Sequence, residues 1–336
     1  MAFLSRILSM VLIVACASSG LHAQSSSIFQ MLTQKEMNKI TLEVDLTALL
    51  ANRKKNDYIP AKLIDPNGKK WDVEVKTRGK YRRKTCVIPP LKLKFSKKAL
   101  KSAGLDTLNE VKLSIPCYEN DLGDDLVVKE YIAYRMFEHL TEACVKARLI
   151  KLVLIDNHVG KSRTMYSMLL EDEEETTARL QGVTVEEYGL PNDSLLINQA
   201  ALVSVFEFMI GNTDWDLSMI RNVRTIRSRE GGKVLVIPYD FDFSGFVSAP
   251  YASPSSESGL KTVRERFLMH NNLPPEQLKK AALRLLSVRK ELTDLCRTKH
   301  LSREDSDQLV LFLDTFFERI KANEALPSTL AAPPAE

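Results

Sequence analysis

Apolar and polar residues alternate in several short segments of the first half of the chain. This alternation predicts strands over 38–46, 58–64, 70–79, 89–95 and 110–115. The second and third segments flank the turn sequence DPNG, which is typical of a hairpin. In the fourth segment, Lys92 and Lys94 fall on one face and the apolar side chains fall on the other. The first half of the chain is therefore predicted to be rich in β-structure.

Helical spacing of apolar residues begins in the middle of the chain. It predicts a helix over Leu126–Leu140, with Asp124 or Asp125 as the N-cap. A strongly apolar helix over Leu195–Ile210 is predicted to end at Gly211, with Asp193 or Ser194 as its cap. Further hairpins are predicted from 148–156 with 163–171 and from 222–228 with 233–239. Two amphipathic helices, at about 275–297 and 303–321, follow.

These elements predict an α+β fold with two lobes. A β-rich N-terminal lobe with one helix is expected over 37–171, and a mainly helical C-terminal lobe over 172–324 contains the hairpin of 222–239. Residues 24–36 are mostly polar and are predicted to be a loose leader. Residues 325–336 are predicted to be a disordered tail.

Residues 1–23 have the pattern of a signal peptide, with Arg6, an apolar core and small residues ending at Ala23. The protein is therefore predicted to be extracytoplasmic: periplasmic, secreted or at the cell surface. The sequence IVAC is also typical of a lipobox, which would make Cys16 a lipidated residue. The apolar core is shorter than the ~20 residues that span a bilayer, so no transmembrane helix is predicted in the mature chain.

Charge and cysteine content narrow the class of protein. The formal net charge is only +4 over 336 residues, which gives little support to nucleic-acid binding. Cleavage after Ala23 leaves four cysteines, Cys86, Cys117, Cys144 and Cys296. They are compatible with two disulfides, or with one disulfide and two buried thiols. The sequence has no CxxC, HExxH or GxSxG motif, which disfavours the corresponding zinc sites and serine hydrolases.

Acidic and amide residues follow two apolar elements of the second half. Asp214 and Asp216 come after the predicted helix end, Asp240 and Asp242 come after a predicted strand, and Asn222 precedes the strand between them. Pairing of the two strands would bring 214, 222 and 240 together. Such oxygen ligands suit Mg²⁺ or Mn²⁺ with phosphate oxygens as further ligands, and a metal-free carboxylate could orient a hydroxyl. The alternative is that these acids are solvated turn residues or caps.

Basic residues of the first half complement this cluster. The turn over 76–84 contains Arg78, and the strand that follows carries Lys92 and Lys94. A strand lysine can bind nucleotide phosphates while Glu130 on the next helix holds it by an ion pair. The order of strand lysine, helix glutamate, Asp, Asn and Asp-Phe-Asp is that of a phosphoryl-transfer site.

With these motifs the chain resembles the CotH family of exported atypical kinases, whose fold is a divergent relative of protein kinases. The matching segments are TRG and PPLKLKF, LVVKEYIAYRMF, GNTDW with the later RN, and VIPYDFDFSG, between about 70 and 250. The resemblance implies that Lys92, or Lys94, contacts phosphates of ATP and that Glu130 pairs with it. It further implies Asp214 as the catalytic base and Asn222, Asp240 and Asp242 as metal ligands.

The sequence departs from ordinary kinases in the catalytic loop, because Asn222 lies eight residues after Asp214 instead of five. The predicted function is an exported phosphotransferase that uses Mg-ATP to phosphorylate a hydroxyl of a protein or cell-surface acceptor. One alternative is a catalytically inactive binding or adhesion module with a kinase fold. A weaker alternative is a metal-dependent phosphohydrolase built on Asp214, Asp216, Asp240 and Asp242.

Overall fold

The computed structural model describes residues 25–269 and 272–322 and has a mixed α+β fold. Seven of its strands form a closed barrel in the order β1-β2-β3-β4-β5-β7-β6. Their bounds are β1 (Lys39–Val44), β2 (Ile59–Ile64), β3 (Lys70–Thr77), β4 (Leu91–Phe95), β5 (Glu110–Ser114), β6 (Ala147–Asp156) and β7 (Lys161–Glu171). All neighbours are antiparallel except β1 and β6, whose parallel pairing closes the barrel. The predicted strands and hairpins of this region are confirmed, whereas the closure was not predicted.

The barrel interior is filled by alternate side chains of its strands. In β4, Leu91, Leu93 and Phe95 are buried, whereas Lys92 and Lys94 point outward, as the alternation predicts. A short helix, α1 (Ile28–Leu32), packs its apolar residues into the same core. The prediction of a loose leader over 24–36 is therefore wrong for this helix, because Ile28, Phe29 and Leu32 bury apolar area that outweighs the polar residues around them.

Short helices occupy several connections of the barrel: α2 (Leu46–Ala51), α3 (Arg82–Thr85) and α4 (Lys97–Ser102). The long helix α5 (Asp121–Leu140) begins earlier than predicted, because the side chain of Asn120 accepts a hydrogen bond from the Gly123 amide and is the N-cap. Asp124 and Asp125 therefore lie inside the helix. A disulfide joins Cys86, the residue after α3, to Cys117, three residues after β5.

The second half begins with α6 (Glu173–Arg179) and contains a sheet of order β10-β9-β8. Its strands are β8 (Gly182–Thr184), β9 (Val223–Ser228) and β10 (Val234–Pro238), which confirms the predicted hairpin and adds β8. Helix α7 (Ile197–Ile210) starts two residues later than predicted, because residues 192–194 form a 3₁₀ turn and Leu195 bridges to Val234. Gly211 ends the helix at φ 66°, as predicted.

Three helices follow: α8 (Pro275–Ser287), α9 (Arg289–Cys296) and α10 (Arg303–Ala322). The single helix predicted over 275–297 is broken at Val288. At the start of α10 the Ser302 hydroxyl accepts from the Asp305 amide at 3.0 Å and donates to the Asp305 side chain at 2.6 Å. These helices share one apolar core with α5 and α7, separate from the barrel core. Cys144 and Cys296 are free and buried, so one disulfide with two buried thiols is the outcome.

Several predictions lie at or beyond the limits of the described chain. The signal peptide of 1–23, the lipidation of Cys16 and the tail of 325–336 fall outside the described residues. In the part of the chain that the structure describes, no helix has the length and apolar character needed to cross a membrane. The division into lobes at residue 172 stays a prediction.

Candidate active site

The chain makes a left-handed turn directly after β10, and this turn carries two of the predicted acidic residues. Asp240 has φ 68° and precedes a 3₁₀ turn over Phe241–Phe243. The Asp240 amide donates to the Tyr134 hydroxyl of α5 at 2.8 Å, and the buried Phe241 ring packs on Tyr134 with centroids 4.6 Å apart. Glu130 lies four residues before Tyr134 on the same helix face, so this packing brings Glu130 to the turn.

Glu130, Asp240 and Asp242 form a cluster that we call the acidic triad. One carboxylate oxygen from each residue lies within 4.8 Å of the others. Glu130 is 2% exposed and Asp242 is 3% exposed, whereas Asp240 is partly open to solvent. Three carboxylates this close repel one another strongly in a buried site, so the triad requires positive charge.

Arg82 supplies positive charge to the acidic triad. Its Nη1 lies 3.3 Å from Glu130, its Nη2 lies 2.7 Å from Asp240 and its Nε lies 3.2 Å from Asp242. Nη1 also donates to the Ser114 hydroxyl at 3.1 Å. Arg82 belongs to α3, whose end is tied to the segment after β5 by the Cys86–Cys117 disulfide. A single guanidinium therefore contacts all three acids.

Burial and charge shift the pKa values of this group in opposite directions. Burial raises the pKa of Asp242 to about 8 and also raises that of Glu130, while the Arg82 charge opposes both shifts. Burial lowers the pKa of Arg82, but its acidic partners outweigh burial and raise it well above its ordinary value. We take Arg82 as charged, because an arginine with three carboxylate partners does not lose its proton. The Tyr251 hydroxyl donates to Asp242 at 2.9 Å and completes its surroundings.

The predicted catalytic loop lies beside the triad. Asn222 donates from Nδ2 to the Asp214 side chain at 3.0 Å, so the amide orients the carboxylate. Burial raises the pKa of Asp214; Arg221, 3.7 Å away, lowers it, and the nearby Asp240 charge raises it. The backbone oxygen of Asn222 accepts from the Tyr239 amide at 3.0 Å, directly before Asp240. The structure thus brings positions 214, 222 and 240 together, as the strand pairing predicts.

The extra residues of this loop form a closed turn. Asp216 and Arg221 exchange both backbone hydrogen bonds, at 2.8 and 2.9 Å, so the inserted segment folds back on itself. The Asp216 side chain accepts from the Met219 amide at 2.7 Å. Asp216 is therefore a turn cap in this structure, and among the described residues neither it nor Asp214 is part of the three-carboxylate cluster.

The two strand lysines do not contact Glu130. Lys92 forms ion pairs with Glu110 and with Asp172, the latter at 3.2 Å, and Lys94 lies 3.5 Å from Glu74. The predicted ion pair between Lys92 and Glu130 is therefore wrong. Lys92 does not pair with Glu130 because Glu110 on the adjacent strand and Asp172 after β7 are nearer to it. Glu130 is instead contacted by Arg82 of α3. The assignment of Lys92 and Lys94 to nucleotide binding stays a prediction.

Further cations lie near these acids. The sequence indicated Arg78 as a candidate, but it did not indicate Lys112 or Arg82. Arg78 follows β3, and its Nε is buried without a hydrogen-bond partner among the described residues; burial and the Arg82 charge lower its pKa. Lys112, which pairs with Lys92 in the β-ladder, was missed. Burial and Arg224 lower the pKa of Lys112 to about 7 although Asp172 lies 3.6 Å away. Arg82 was also missed, because nothing in the run KYRRK distinguishes it from its neighbours.

Comparisons with known proteins give no family, but they do find similar solved structures. No family model matches the sequence, and no curated protein matches it. Among solved structures, the chain is similar to the Helicobacter pylori proinflammatory kinase CtkA. The two are 13% identical, the match covers 76% of this chain and 95% of that chain, and the TM-score is 0.44. A similarity of this strength assigns no activity to this chain.

Proposed function

We propose that this protein is a kinase-like phosphotransferase that transfers a phosphoryl group from Mg-ATP, or Mn-ATP, to a hydroxyl of a protein or surface acceptor. The observation that carries the proposal is the acidic triad beside an Asp214 that Asn222 orients. Phosphoryl transfer needs positioning and charge neutralisation more than covalent chemistry. The site offers both, because it combines carboxylates for a cation, arginines for phosphates and a carboxylate for the acceptor.

The acidic triad has the donor set of a divalent cation site. Its ligands are carboxylate oxygens, and Oε1 of Glu130 is buried without a hydrogen-bond partner among the described residues. Asp240 and Asp242 would hold the cation, with Asn222 as a further oxygen ligand. The cation would neutralise charge on the phosphates. Because Arg82 already contacts all three acids, its guanidinium would have to leave them, and we propose that it then binds the phosphates with Arg78.

Asp214 would act on the acceptor. Its carboxylate is oriented by Asn222, and burial raises its pKa towards the range in which a carboxylate accepts a proton from a hydroxyl. The closed turn from Asp216 to Arg221 and the hydrogen bond from Tyr239 fix the loop that carries Asp214. We therefore propose Asp214 as the base that positions and deprotonates the acceptor hydroxyl.

A second candidate is a binding module without catalysis. One observation favours it, because Arg82 contacts all three acids of the triad and would compete with a cation. The phosphohydrolase alternative is less well supported, since Asp216 caps a turn and lies outside the cluster that a pair of metal ions would share.

The test separates nucleotide binding from turnover in four purified proteins: wild type, Asp240→Asn, Asp214→Asn and Asp216→Asn. Binding is followed by thermal shift with ATP and Mg²⁺ or Mn²⁺, and turnover is followed by transfer of labelled γ-phosphate to a serine peptide. We expect Asp240→Asn to lose metal-dependent binding and Asp214→Asn to keep binding but lose turnover. Asp216→Asn is the matched control, because asparagine can still cap the turn. Wild type that binds nucleotide without turnover would favour the binding module, and full activity in all variants would reject the site.

We further propose that the protein works outside the cytoplasm. The Cys86–Cys117 disulfide supports this location, because disulfides persist in oxidising compartments. Cell fractionation tests the proposal: we expect an oxidised protein in the extracytoplasmic fraction, and a reduced protein confined to the cytoplasm would contradict it.

A further inference from the structure

We propose that a basic pocket next to α3 binds an acidic segment of the acceptor, so that this phosphotransferase prefers hydroxyls near carboxylates or phosphates of the same chain. The proposal rests on the proposed function. The pocket has a volume of about 510 Å³ and is lined by two segments, Arg53 with Lys54 and Lys80 with Arg83 and Lys84. All of its lining residues are cationic.

The two arginines of the basic pocket are held by backbone oxygens and not by acids. Arg53 donates to the carbonyl oxygens of Arg83 and Val87, each at 3.4 Å. Arg83 donates to the carbonyl oxygens of Gly79, at 2.6 Å, and Arg53, at 3.4 Å. These reciprocal bonds join two parts of the chain about 30 residues apart and hold both guanidinium groups in place. A neutral carbonyl leaves their charge uncompensated, so the pocket stays electropositive.

The lysines of the pocket are also without acidic partners. Among residues 25–269 and 272–322, no carboxylate lies within 4.0 Å of a cationic nitrogen of the five lining residues. Some other cations of the described chain do have such partners, for example Lys129 with Asp305 at 2.8 Å. Like charges gathered in one concave site repel one another, and an anionic ligand relieves that repulsion.

The pocket adjoins the candidate active site through consecutive residues. Arg82 points inward to the acidic triad and is 6% exposed, whereas Arg83 lines the basic pocket. The two Cα atoms are about 3.8 Å apart and each side chain reaches about 6 Å, so the two guanidinium groups are at most about 16 Å apart. An extended peptide covers that distance in about five residues. The pocket and the acidic triad are therefore close enough for one acceptor peptide to contact both, through positions at most about five residues apart.

An acidic peptide fits this pocket better than other polyanions do. Nucleic acid requires a broad basic surface, whereas the net charge of the chain is only +4. A lipid bilayer presents a flat array of headgroups, whereas the lysines here surround a concavity. Clustered carboxylates or phosphates on a flexible chain can enter such a space and meet several cations at once.

The experiment measures binding and turnover separately. Fluorescence anisotropy reports the binding of a labelled peptide with one serine and a run of glutamates four residues away, compared with a peptide in which glutamines replace the glutamates. The pocket variant is Lys54→Gln/Lys80→Gln/Lys84→Gln, which keeps the structural arginines. The matched control is Lys97→Gln/Lys98→Gln/Lys101→Gln on α4, because it removes the same charge from exposed lysines outside the pocket. We expect about tenfold weaker binding in the pocket variant and less than about twofold in the control.

The outcomes distinguish this proposal from the proposed function. If the glutamate peptide binds through the basic pocket but no peptide is phosphorylated, the pocket proposal is supported and the phosphotransferase proposal is rejected. Equal transfer to the glutamate and glutamine peptides, with equal binding by both triple variants, would overturn the pocket and leave the phosphotransferase intact. Pocket-dependent binding to vesicles of anionic lipid, with no binding of the glutamate peptide, would also overturn the proposal.

Discussion

Replacing Arg82 with methionine is the most direct test of how the acidic triad is stabilised. Methionine keeps an unbranched apolar side chain in α3, shorter than that of arginine, but removes the charge and every donor. Three carboxylates within 4.8 Å of one another would then lose their guanidinium partner, and two of the three are almost fully buried. Removing one partner of a buried ion pair costs about 3–5 kcal/mol, because it leaves charge uncompensated.

The magnitude of this loss depends on pH in a defined direction. Burial raises the pKa of Asp242 to about 8 even in the presence of Arg82, so removing the cation raises the pKa values of the triad further. An acid whose folded pKa is raised stabilises the fold at low pH and loses that contribution as pH rises from its unfolded pKa through its folded pKa. The deficit of Arg82→Met relative to wild type should therefore be small near pH 4 and reach several kcal/mol at about pH 8.

The assay is urea unfolding of wild type and Arg82→Met in metal-free buffer at several pH values, repeated with Mg²⁺ or Mn²⁺. We expect the midpoint of the variant to fall with rising pH and to recover when metal is added, since a cation can replace the lost charge. Metal at 100 times its dissociation constant would restore about 2.7 kcal/mol. Arg82→Met/Glu130→Gln is the matched control, because it removes one charge from the triad and should recover part of the stability without metal. Equal stability of Arg82→Met and wild type at about pH 8, without metal, would refute the account.

Three further predictions concern the frame of the site. Glu207 is fully buried, accepts a hydrogen bond from Asn212 at 3.0 Å and has a pKa raised by burial. Its buried carboxyl therefore makes the unfolding free energy fall as the pH rises above the usual carboxylate range; Glu207→Gln should reduce this fall, and an unchanged pH profile would contradict the prediction. Cys86→Ser/Cys117→Ser should lower the free energy of unfolding by about 3–4 kcal/mol, because the disulfide joins residues 31 positions apart. An unchanged denaturation midpoint would contradict this prediction. Gly211→Ala should lower the free energy of unfolding by about 1–2 kcal/mol in the same assay, because Gly211 has φ 66°. A variant as stable as wild type would contradict the left-handed conformation of Gly211.

The sequence correctly predicts the elements in which buried and exposed residues repeat at a regular spacing. The barrel strands alternate, so the outward direction of Lys92 can be read from its neighbours. The hairpin of β9 and β10 is predicted by its apolar strands, and it brings Asn222 to Asp240. Local order along the chain was therefore enough to predict that the loop of Asp214 and Asn222 and the Asp-Phe-Asp turn meet.

The ion-pair partners could not be predicted in the same way, because they depend on distances between residues far apart in sequence. Arg82 and Asp240 are 158 residues apart, and Lys92 reaches Asp172 because β5 lies between β4 and β7 in the barrel. In a run with several basic residues, the direction of each side chain is set by the short helix α3 and its disulfide. Without those contacts the strand lysine was the reasonable partner for Glu130, and the arginine was not.

The position of Arg82 also determines how a negative result with metal should be understood. If a cation binds only when Arg82 has left the triad, its apparent affinity is reduced by the fraction of molecules in that state. An open state populated at about 1% weakens the apparent affinity about 100-fold, so weak Mg²⁺ binding by wild type is expected even for an active enzyme. Nucleotide phosphates would favour that state by binding Arg82, so metal and nucleotide should bind with positive coupling. Each ligand should therefore strengthen the other in wild type, and this coupling should be lost in Arg82→Met.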